Sequence, residues 1–269
     1  MLILGLGYSG QRLAGQLRAM GWRVTGVRRQ ASDDAPAFGD EGAVRALIGQ
    51  ATHILSSVPP DGENGTDPVL EHYRAALASC SAQWIGYLSS SGVYGDTGGA
   101  WVDESTPVGA GRRSARTQAD LAWQALRPDV RIFRLPGIYG PGRSALDRVR
   151  EGRAHRIDLP SQIFSRVHVD DIAGGVIASL NGPPGVYNLA DDLPCSQNAV
   201  IEAACDMLSL PWPPLQVLEE VALSPMARAF YAENRRVANG RAKRLLGWRP
   251  LYPTYREGLR ACLMQEGRE

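Results

Sequence analysis

The chain opens with MLILGLGYSG, residues 1–10, and this stretch decides how the rest of the sequence is interpreted. Its first four residues predict a strand, and a GxGxxG pattern follows directly and opens a helix. In this pattern one glycine permits a tight turn, one lets a pyrophosphate approach the backbone, and one lets helix and strand pack. The helix N-terminus favours an anion, so the stretch predicts a dinucleotide-binding turn rather than an ordinary glycine turn. The predicted site comprises Gly5, Gly7, Tyr8, Ser9 and Gly10.

Apolar runs alternate with helical patterns over the first 140 residues. Strands are predicted at 1–4, 22–27, 53–58, 84–88 and 130–135, and helices around Leu13–Met20 and at 41–50, 67–80 and 115–127. Strands that are apolar almost throughout, each followed by a helix, indicate a parallel sheet covered on both faces. Right-handed crossovers then favour an α/β fold with a doubly wound parallel Rossmann sheet.

The pattern loosens in the second half of the chain. Strands at 163–169 and 186–190, a helix at 170–180 and a closing helical pair at 238–246 and 254–265 are still predicted. We therefore expect a Rossmann domain over residues 1–192, with a short insertion near 140–165, and a small C-terminal substrate lobe over 193–269. The PWPP run at 211–214 is interpreted as a rigid surface loop, with the mouth of a substrate site as the alternative.

Composition excludes several classes of protein. The chain has 29 basic and 28 acidic residues, a net charge of +1, and no apolar run that approaches the length of a membrane span. We therefore predict neither a nucleic-acid partner nor a membrane partner, and leave the oligomeric state open. The four cysteines form no CxxC pair and the four histidines lack ligand spacing, so we predict no metal. The first residues lack a basic leader, which favours a cytoplasmic protein.

The end of the second predicted strand indicates which dinucleotide binds. An NAD site places an acid there for the ribose 2′-hydroxyl. This chain has Val27-Arg28-Arg29, with no acid before Asp33. One guanidinium group can donate two parallel hydrogen bonds to the oxygens of a phosphate. Arg28 and Arg29 therefore favour NADP, which carries a 2′-phosphate, over NAD. A solvated pair of charges is the alternative.

Five further segments follow in a fixed order: FGD at 38–40, LSSSGVYG at 88–95, RLPGIYGPG at 134–142, VHVDDIA at 167–173 and VYNL at 186–189. With the glycine pattern, they resemble the motifs of the extended short-chain dehydrogenases/reductases, the superfamily of nucleotide-sugar epimerases and dehydratases. The resemblance runs from residue 2 to about residue 262. It implies that Asp40 contacts an adenine and that Ser90 occupies a catalytic position. Ser57 and Pro136 complete the predicted cofactor site.

One expected motif of this family is replaced. The family carries Tyr-x-x-x-Lys on the helix after the SSxxVYG strand, where Tyr transfers a proton and Lys holds the nicotinamide ribose. Counting back from Asp120 places Arg112 and Arg116 at these positions, although the alignment could slip onto Arg113. An arginine does not release its proton near neutral pH, so neither residue replaces the tyrosine as an acid. The chain therefore resembles an atypical branch that keeps the cofactor site and lacks the Tyr–Lys pair.

Two functions are consistent with this sequence. The first is an NADP-dependent oxidoreductase or epimerase acting on a polar or anionic small molecule. Ser90 would position the reacting oxygen, Arg112 would stabilise its charge, and Arg116 would bind the ribose. The second is a non-catalytic NADP-binding redox sensor or scaffold, in which the arginines are structural. Alternatively, both arginines form a solvated face.

Overall fold

The computed structural model describes residues 1–32, 35–62, 65–109, 114–221, 228 and 231–266. A six-stranded sheet forms its centre, and every strand pair in it is parallel. The strand order, from one edge to the other, is β2 (Thr25–Val27), β1 (Leu2–Leu4), β3 (His53–Ser56), β4 (Trp84–Ser90), β6 (Val130–Leu135) and β10 (Gly185–Asn188). A parallel bridge between Arg28 and Ala37 continues this order beyond β2.

Helices cover both faces of the sheet. They are α1 (Tyr8–Ala19), α2 (Glu41–Gln50), α3 (Pro68–Ser79), α4 (Ser114–Gln124), α5 (Ala145–Arg150), α6 (Val169–Ala178), α7 (Gln197–Leu208), α8 (Gly240–Leu246) and α9 (Tyr255–Glu266). Six shorter strands lie outside the sheet: β5 (Trp101–Val102), β7 (Gly137–Tyr139), β8 (Arg156–Ile157), β9 (Arg166–His168), β11 (Leu215–Gln216) and β12 (Arg236–Val237). None of the described helices has the length and hydrophobicity that crossing a bilayer requires.

Strand side chains alternate between two cores, as the pleat requires. Ile3, Leu55 and Phe133 pack with α1, α6 and α8 on one face. Their neighbours Leu4 and Ile54 pack with α2, α3 and α4 on the other. Because both faces are covered, most strand residues are apolar. The predicted doubly wound α/β fold is confirmed.

A third core lies beyond the sheet and supports the second half of the chain. Its buried residues come from α5, α7 and α9: Ala145, Leu146, Val200, Ile201, Ala203, Ala204, Cys205, Tyr255, Leu259 and Cys262. Ser196 begins α7 by accepting a hydrogen bond from the Ala199 backbone N–H at 3.1 Å. The sequence analysis predicted no helix at this position, within the lobe expected over residues 193–269.

Candidate functional site

The glycine-rich turn lies where the strand order reverses. β2 lies on one side of β1 and β3 on the other, and the chain leaves β1 at the carboxyl edge of the sheet. Two backbone N–H groups, those of Gly5 and Leu6, donate to the Val27 carbonyl at 3.0 and 2.9 Å. The Ser57 hydroxyl donates to the Gly5 carbonyl and so joins the end of β3 to the turn. Ligands of open α/β sheets bind at such a switch point.

The three glycines of the turn have different surroundings. Gly5 has φ +90°, and a Cβ there would lie 2.8 Å from a Val58 methyl group. A Cβ at Gly10 would lie 2.9 Å from the Gly5 carbonyl oxygen. A Cβ at Gly7 would meet no described atom within 4 Å. The close packing around Gly5 and Gly10 therefore explains why the fold needs glycine at these two positions. At Gly7 the space is open, so a ligand could approach the backbone there.

The N-terminus of α1 is suited to a negative group. Gly7 is its N-cap residue and supplies no side-chain cap, and the first turn contains no acid. The N–H groups of the first turn therefore remain available, and the helix dipole favours an anion at this end. A dinucleotide pyrophosphate fits this position.

Arg28 and Arg29 follow β2 directly, beside the strand end to which the turn is bonded. The Arg28 Nε is buried without a hydrogen-bond partner among the described residues. Arg29 is exposed. Within the described residues neither guanidinium lies in an ion pair. The Arg28 Nε–H could therefore donate a hydrogen bond to an anion bound at this edge of the sheet.

Asp40 caps α2, since one of its carboxylate oxygens accepts a hydrogen bond from the Ala43 backbone N–H at 3.1 Å. The carboxylate is exposed. Its expected contact with an adenine stays a prediction.

A cavity of about 730 Å³ extends from the turn along the carboxyl edge of the sheet to the third core. Among its lining residues are seven that the sequence analysis selected: Gly7, Tyr8, Ser9, Ser57, Ser90, Arg116 and Pro136. Gly5 and Gly10 belong to the turn but do not line the cavity, and Arg28, Arg29 and Asp40 also lie outside it. The fold thus brings most of the predicted site to one opening.

Ser90 ends β4 at this cavity. Its Oγ accepts a hydrogen bond from the Gly92 backbone N–H at 3.1 Å and caps the short 3-10 helix Ser91–Tyr94. This leaves the hydroxyl proton of the half-buried side chain free to donate to a bound group. The neighbouring Ser89 is committed elsewhere, because it donates to Asp120 at 2.6 Å.

Asp120 is the centre of a buried network and not a partner of Arg116. Both Asp120 oxygens accept from Arg134, at 2.8 and 3.1 Å, and the two side chains are almost completely buried. Arg134 also donates to the Tyr94 hydroxyl at 3.1 Å, and Tyr94 donates to Asn188 at 2.8 Å. The network fixes α4 against β4, β6 and β10.

Arg116 is half-buried on α4 and lines the cavity together with Ser90. Burial raises the pKa of Tyr87, and the positive charge of the nearby Arg116 opposes this rise. Burial also raises the pKa of Asp67, and the charge of Arg116 lowers that pKa to a smaller extent. Arg116 has no ion-pair partner within the described chain. Arg112 and Arg113 lie outside the described residues, so the predicted role of Arg112 stays a prediction.

Two tyrosines of the family motifs pack as part of the fold. Tyr94 is fully buried in the Asp120 network. Tyr139 borders the cavity, yet its ring packs edge-on against His168, with 5.2 Å between ring centroids. Burial raises the pKa of both hydroxyls, which makes neither a ready proton acceptor.

The VHVDDIA segment fixes two helices together. His168 is the N-cap of α6 and accepts a hydrogen bond from the Asp170 backbone N–H at 3.2 Å. Asp170 accepts hydrogen bonds from both Nε and Nη2 of Arg12 on α1. Both residues therefore anchor α6, and neither belongs to the cavity lining.

The PWPP run borders a second cavity of about 500 Å³, which shares Ala154 and His155 with the first. Trp212 is half-exposed; its indole N–H donates to Asp206 at 2.7 Å, and Arg156 lies over its ring. The run lies on the surface and adjoins the first cavity through those two residues.

Sequence and structure comparisons place the chain beside reductases and epimerases. No family model matches it. A solved structure of a functionally unknown conserved protein from Silicibacter pomeroyi DSS is 41% identical, with 98% of each chain covered and a TM-score of 0.86. The 3-diazoavenalumate denitrifying reductase of a Streptomyces species is 27% identical over 94% of this chain and 96% of its own. The human epimerase family protein SDR39U1, solved with NADPH, is 18% identical with a TM-score of 0.77, over 98% of this chain and 99% of that one.

The sheet order and these likenesses define a Rossmann-type protein with the fold of epimerases and dehydratases. Within this class, the chain belongs to the family of the Silicibacter pomeroyi protein, with which it shares 41% of its residues over nearly its whole length.

Proposed function

We propose that the protein is an NADP-dependent oxidoreductase that acts on a small polar or anionic molecule. The observation that carries this proposal is the shared cavity, which joins the glycine turn to Ser90 and Arg116. The curated relative named a reductase and the fold neighbour solved with NADPH support the same activity. When bound, the nicotinamide supplies or accepts the hydride.

The turn and its surroundings would hold the dinucleotide. Gly7 leaves the backbone open, and the first turn of α1 offers N–H groups to the pyrophosphate. Arg28 and Arg29 would bind the 2′-phosphate, since the Arg28 Nε otherwise lacks a partner in the described chain. Pro136 and Ser57 would flank the nicotinamide half. Asp40 would contact the adenine.

Ser90 and Arg116 would act on the substrate and the ribose. The Ser90 hydroxyl can donate to a substrate oxygen while its Oγ still accepts from Gly92. Arg116 would bind the ribose hydroxyls and contribute positive charge beside the reacting oxygen. Arg112 would stabilise the charge that develops on that oxygen. We also propose that residues 1–192 form the cofactor-binding domain, that residues 193–269 form mainly the substrate lobe, and that the enzyme is cytoplasmic.

Calorimetric titration with NADPH and NADH tests the cofactor choice. We expect the parent protein to bind NADPH more tightly than NADH. The double variant Arg28→Ala/Arg29→Ala should lose at least about tenfold in NADPH affinity, because a charge-assisted contact contributes about 1.5–3 kcal/mol. Its NADH affinity should change little. Arg23→Ala, at an exposed arginine before β2, is the matched control.

Two results would count against the proposal. Equal losses for the two dinucleotides, or tighter NADH binding by the parent, would contradict NADP as the cofactor.

To test turnover, NADPH absorbance is followed with a panel of neutral and anionic aldehydes and ketones. Tight NADPH binding without any absorbance change across the panel would favour the non-catalytic sensor or scaffold.

A further inference from the structure

The cavity lining carries positive charge. Besides Arg116 it includes Arg143, Arg148, Arg153 and Arg166, whereas no aspartate or glutamate lines the cavity within the described residues. Proteins rarely leave several cations around one opening without acids, because like charges repel one another. The charge therefore points to an anionic ligand.

These cations differ in how far they are already engaged. Arg166 donates to the carbonyl oxygens of Phe164 and Cys195 and to Gln197, and Arg153 pairs with Glu151. Arg143 lies over the Tyr8 ring, with 5.7 Å between its Cζ and the ring centroid. Arg148 is an exposed residue of α5, and its guanidinium has neither an ion pair nor a hydrogen bond within the described chain. Arg148 is thus the cation of this group most available to a ligand.

An apolar wall lies beside these charges. Val200 and Ile201 on α7 and Tyr255 and Leu259 on α9 line the cavity, and each of these side chains is 5% exposed or less. They belong to the same core as α5, the helix that carries Arg148. A ligand whose anionic group is bound by Arg148 would therefore lie near an apolar surface.

Some of the polar groups beside this wall are already engaged within the protein. The Ser144 hydroxyl is engaged in the capping box of α5 with Asp147. The Gln197 side-chain oxygen accepts from Arg166 at 3.0 Å. No asparagine, threonine or lysine lines the cavity in the described part of the chain. A ligand with an apolar body would gain more from contact with this wall than a sugar would, because burial of apolar surface is favourable whereas a sugar hydroxyl facing apolar side chains loses its hydrogen bonds to water.

We infer that the cavity binds an amphipathic anion, with one carboxylate or phosphate group on an apolar body, and that Arg148 binds the anionic group. This inference rests on the proposed function for the role of that ligand as the substrate. A guanidinium can pair two of its N–H groups with either kind of anion. The apolar body would lie on Val200, Ile201 and Leu259.

Calorimetry on the full chain, with and without saturating NADP⁺, tests this site with defined probes. They are 3-phenylpropanoate, phenyl phosphate, the neutral 3-phenylpropanamide, and UDP-glucose as a sugar-bearing anion. We expect at least one of the two aryl anions to bind at least tenfold more tightly than the amide and UDP-glucose. Which of them binds more tightly identifies the anionic group. Equal binding of the amide, or tighter binding of UDP-glucose, would overturn the inference.

The variant Arg148→Gln should lose at least tenfold in affinity for the preferred anion. Arg150→Gln, on the same helix but outside the cavity lining, is the matched control and should bind as the parent does. Unchanged binding by a folded Arg148→Gln variant would overturn the role of Arg148. Failure of the proposed function would be seen separately, as absent NADPH binding or turnover in a protein that still binds the aryl anion.

Discussion

At the scale of single residues, the glycine turn separates folding from binding. Gly5 and Gly10 are surrounded so closely that a Cβ would meet Val58 or the Gly5 carbonyl, while the Cβ position of Gly7 is open. The sequence predicted a tight turn at Gly5 and close packing at Gly10, because the pattern followed a strand and opened a helix; the approach of a pyrophosphate at Gly7 stays a prediction. The sequence did not reveal that Ser57 donates to the Gly5 carbonyl, a contact made across 52 residues of chain.

Gly7→Val should therefore abolish dinucleotide binding in a protein that remains folded. The new side chain would occupy the space through which we expect the pyrophosphate to approach. Gly15→Val is a suitable control, because Gly15 lies on α1 and its Cβ position is also open. Calorimetry with NADPH and circular dichroism measure both effects. Unchanged NADPH affinity in folded Gly7→Val would contradict the cofactor site.

Arg116→Ala should weaken NADPH binding by about tenfold or more, since a hydrogen bond to a charged group contributes about 1.5–3 kcal/mol. Arg116→Lys should retain part of the affinity, because the charge remains. Arg74→Ala, at an exposed arginine of α3, should have no effect. If Arg116→Ala binds NADPH as tightly as the parent does, Arg116 has no role in cofactor binding.

At the scale of elements, the Asp120 network determines where α4 lies. Asp120 on α4 binds Arg134 on β6 and Ser89 on β4, and these strand residues are direct neighbours in the sheet register. The network thereby sets the position of Arg116, one helical turn earlier on α4. Sequence analysis used Asp120 only to count residues, because a long-range buried ion pair leaves no local pattern.

Asp120→Asn should lower the free energy of unfolding by about 3–5 kcal/mol, because Arg134 would keep its charge in a buried site without a partner. The double variant Asp120→Asn/Arg134→Met should lose less, since it leaves no buried charge. Asp129→Asn breaks the more exposed pair with Arg127 and should cost about 1 kcal/mol or less. Urea unfolding measures all three. Similar losses for Asp120→Asn and Asp129→Asn would contradict the structural role of the network.

Element prediction succeeded where burial is two-sided and for the closing helices, predicted at 238–246 and 254–265 and observed as α8 and α9, but it missed a helix in the lobe. The strands of the central sheet and α1 to α4 were predicted because their apolar residues repeat regularly. β2 was predicted from residue 22 but begins at Thr25, since only three residues pair with β1. α7 was missed, although Ser196 as N-cap and apolar residues at 200, 201 and 204 were available as signals. In this segment the sequence analysis predicted only the surface loop of the PWPP run at 211–214.

At the scale of the whole molecule, buried titratable groups connect the sheet to the lobe. Asp191 follows β10, and its backbone N–H donates to the Arg166 carbonyl at 2.7 Å. The residue is 3% exposed, and neither carboxylate oxygen accepts a hydrogen bond from a side chain in the described chain. Burial raises the pKa of Asp191 to about 7. Burial also raises the pKa of Asp171 to about 6, and it lowers the pKa of His168 to about 4.

Asp191→Asn should stabilise the protein, and more so at high pH. The folded state holds the Asp191 proton more tightly than the unfolded chain does, so this group's contribution to stability falls as pH rises from about 4 to about 7. The variant lacks this loss. Its gain over the parent should therefore grow across that range, reach about 2–4 kcal/mol above pH 7, and then stay constant. Urea unfolding between pH 5 and pH 8 measures the gain, with the exposed Asp158→Asn as a control that should show no such trend. A gain that shrinks with rising pH would mean that the Asp191 carboxylate is stabilised in its charged form, which its burial opposes.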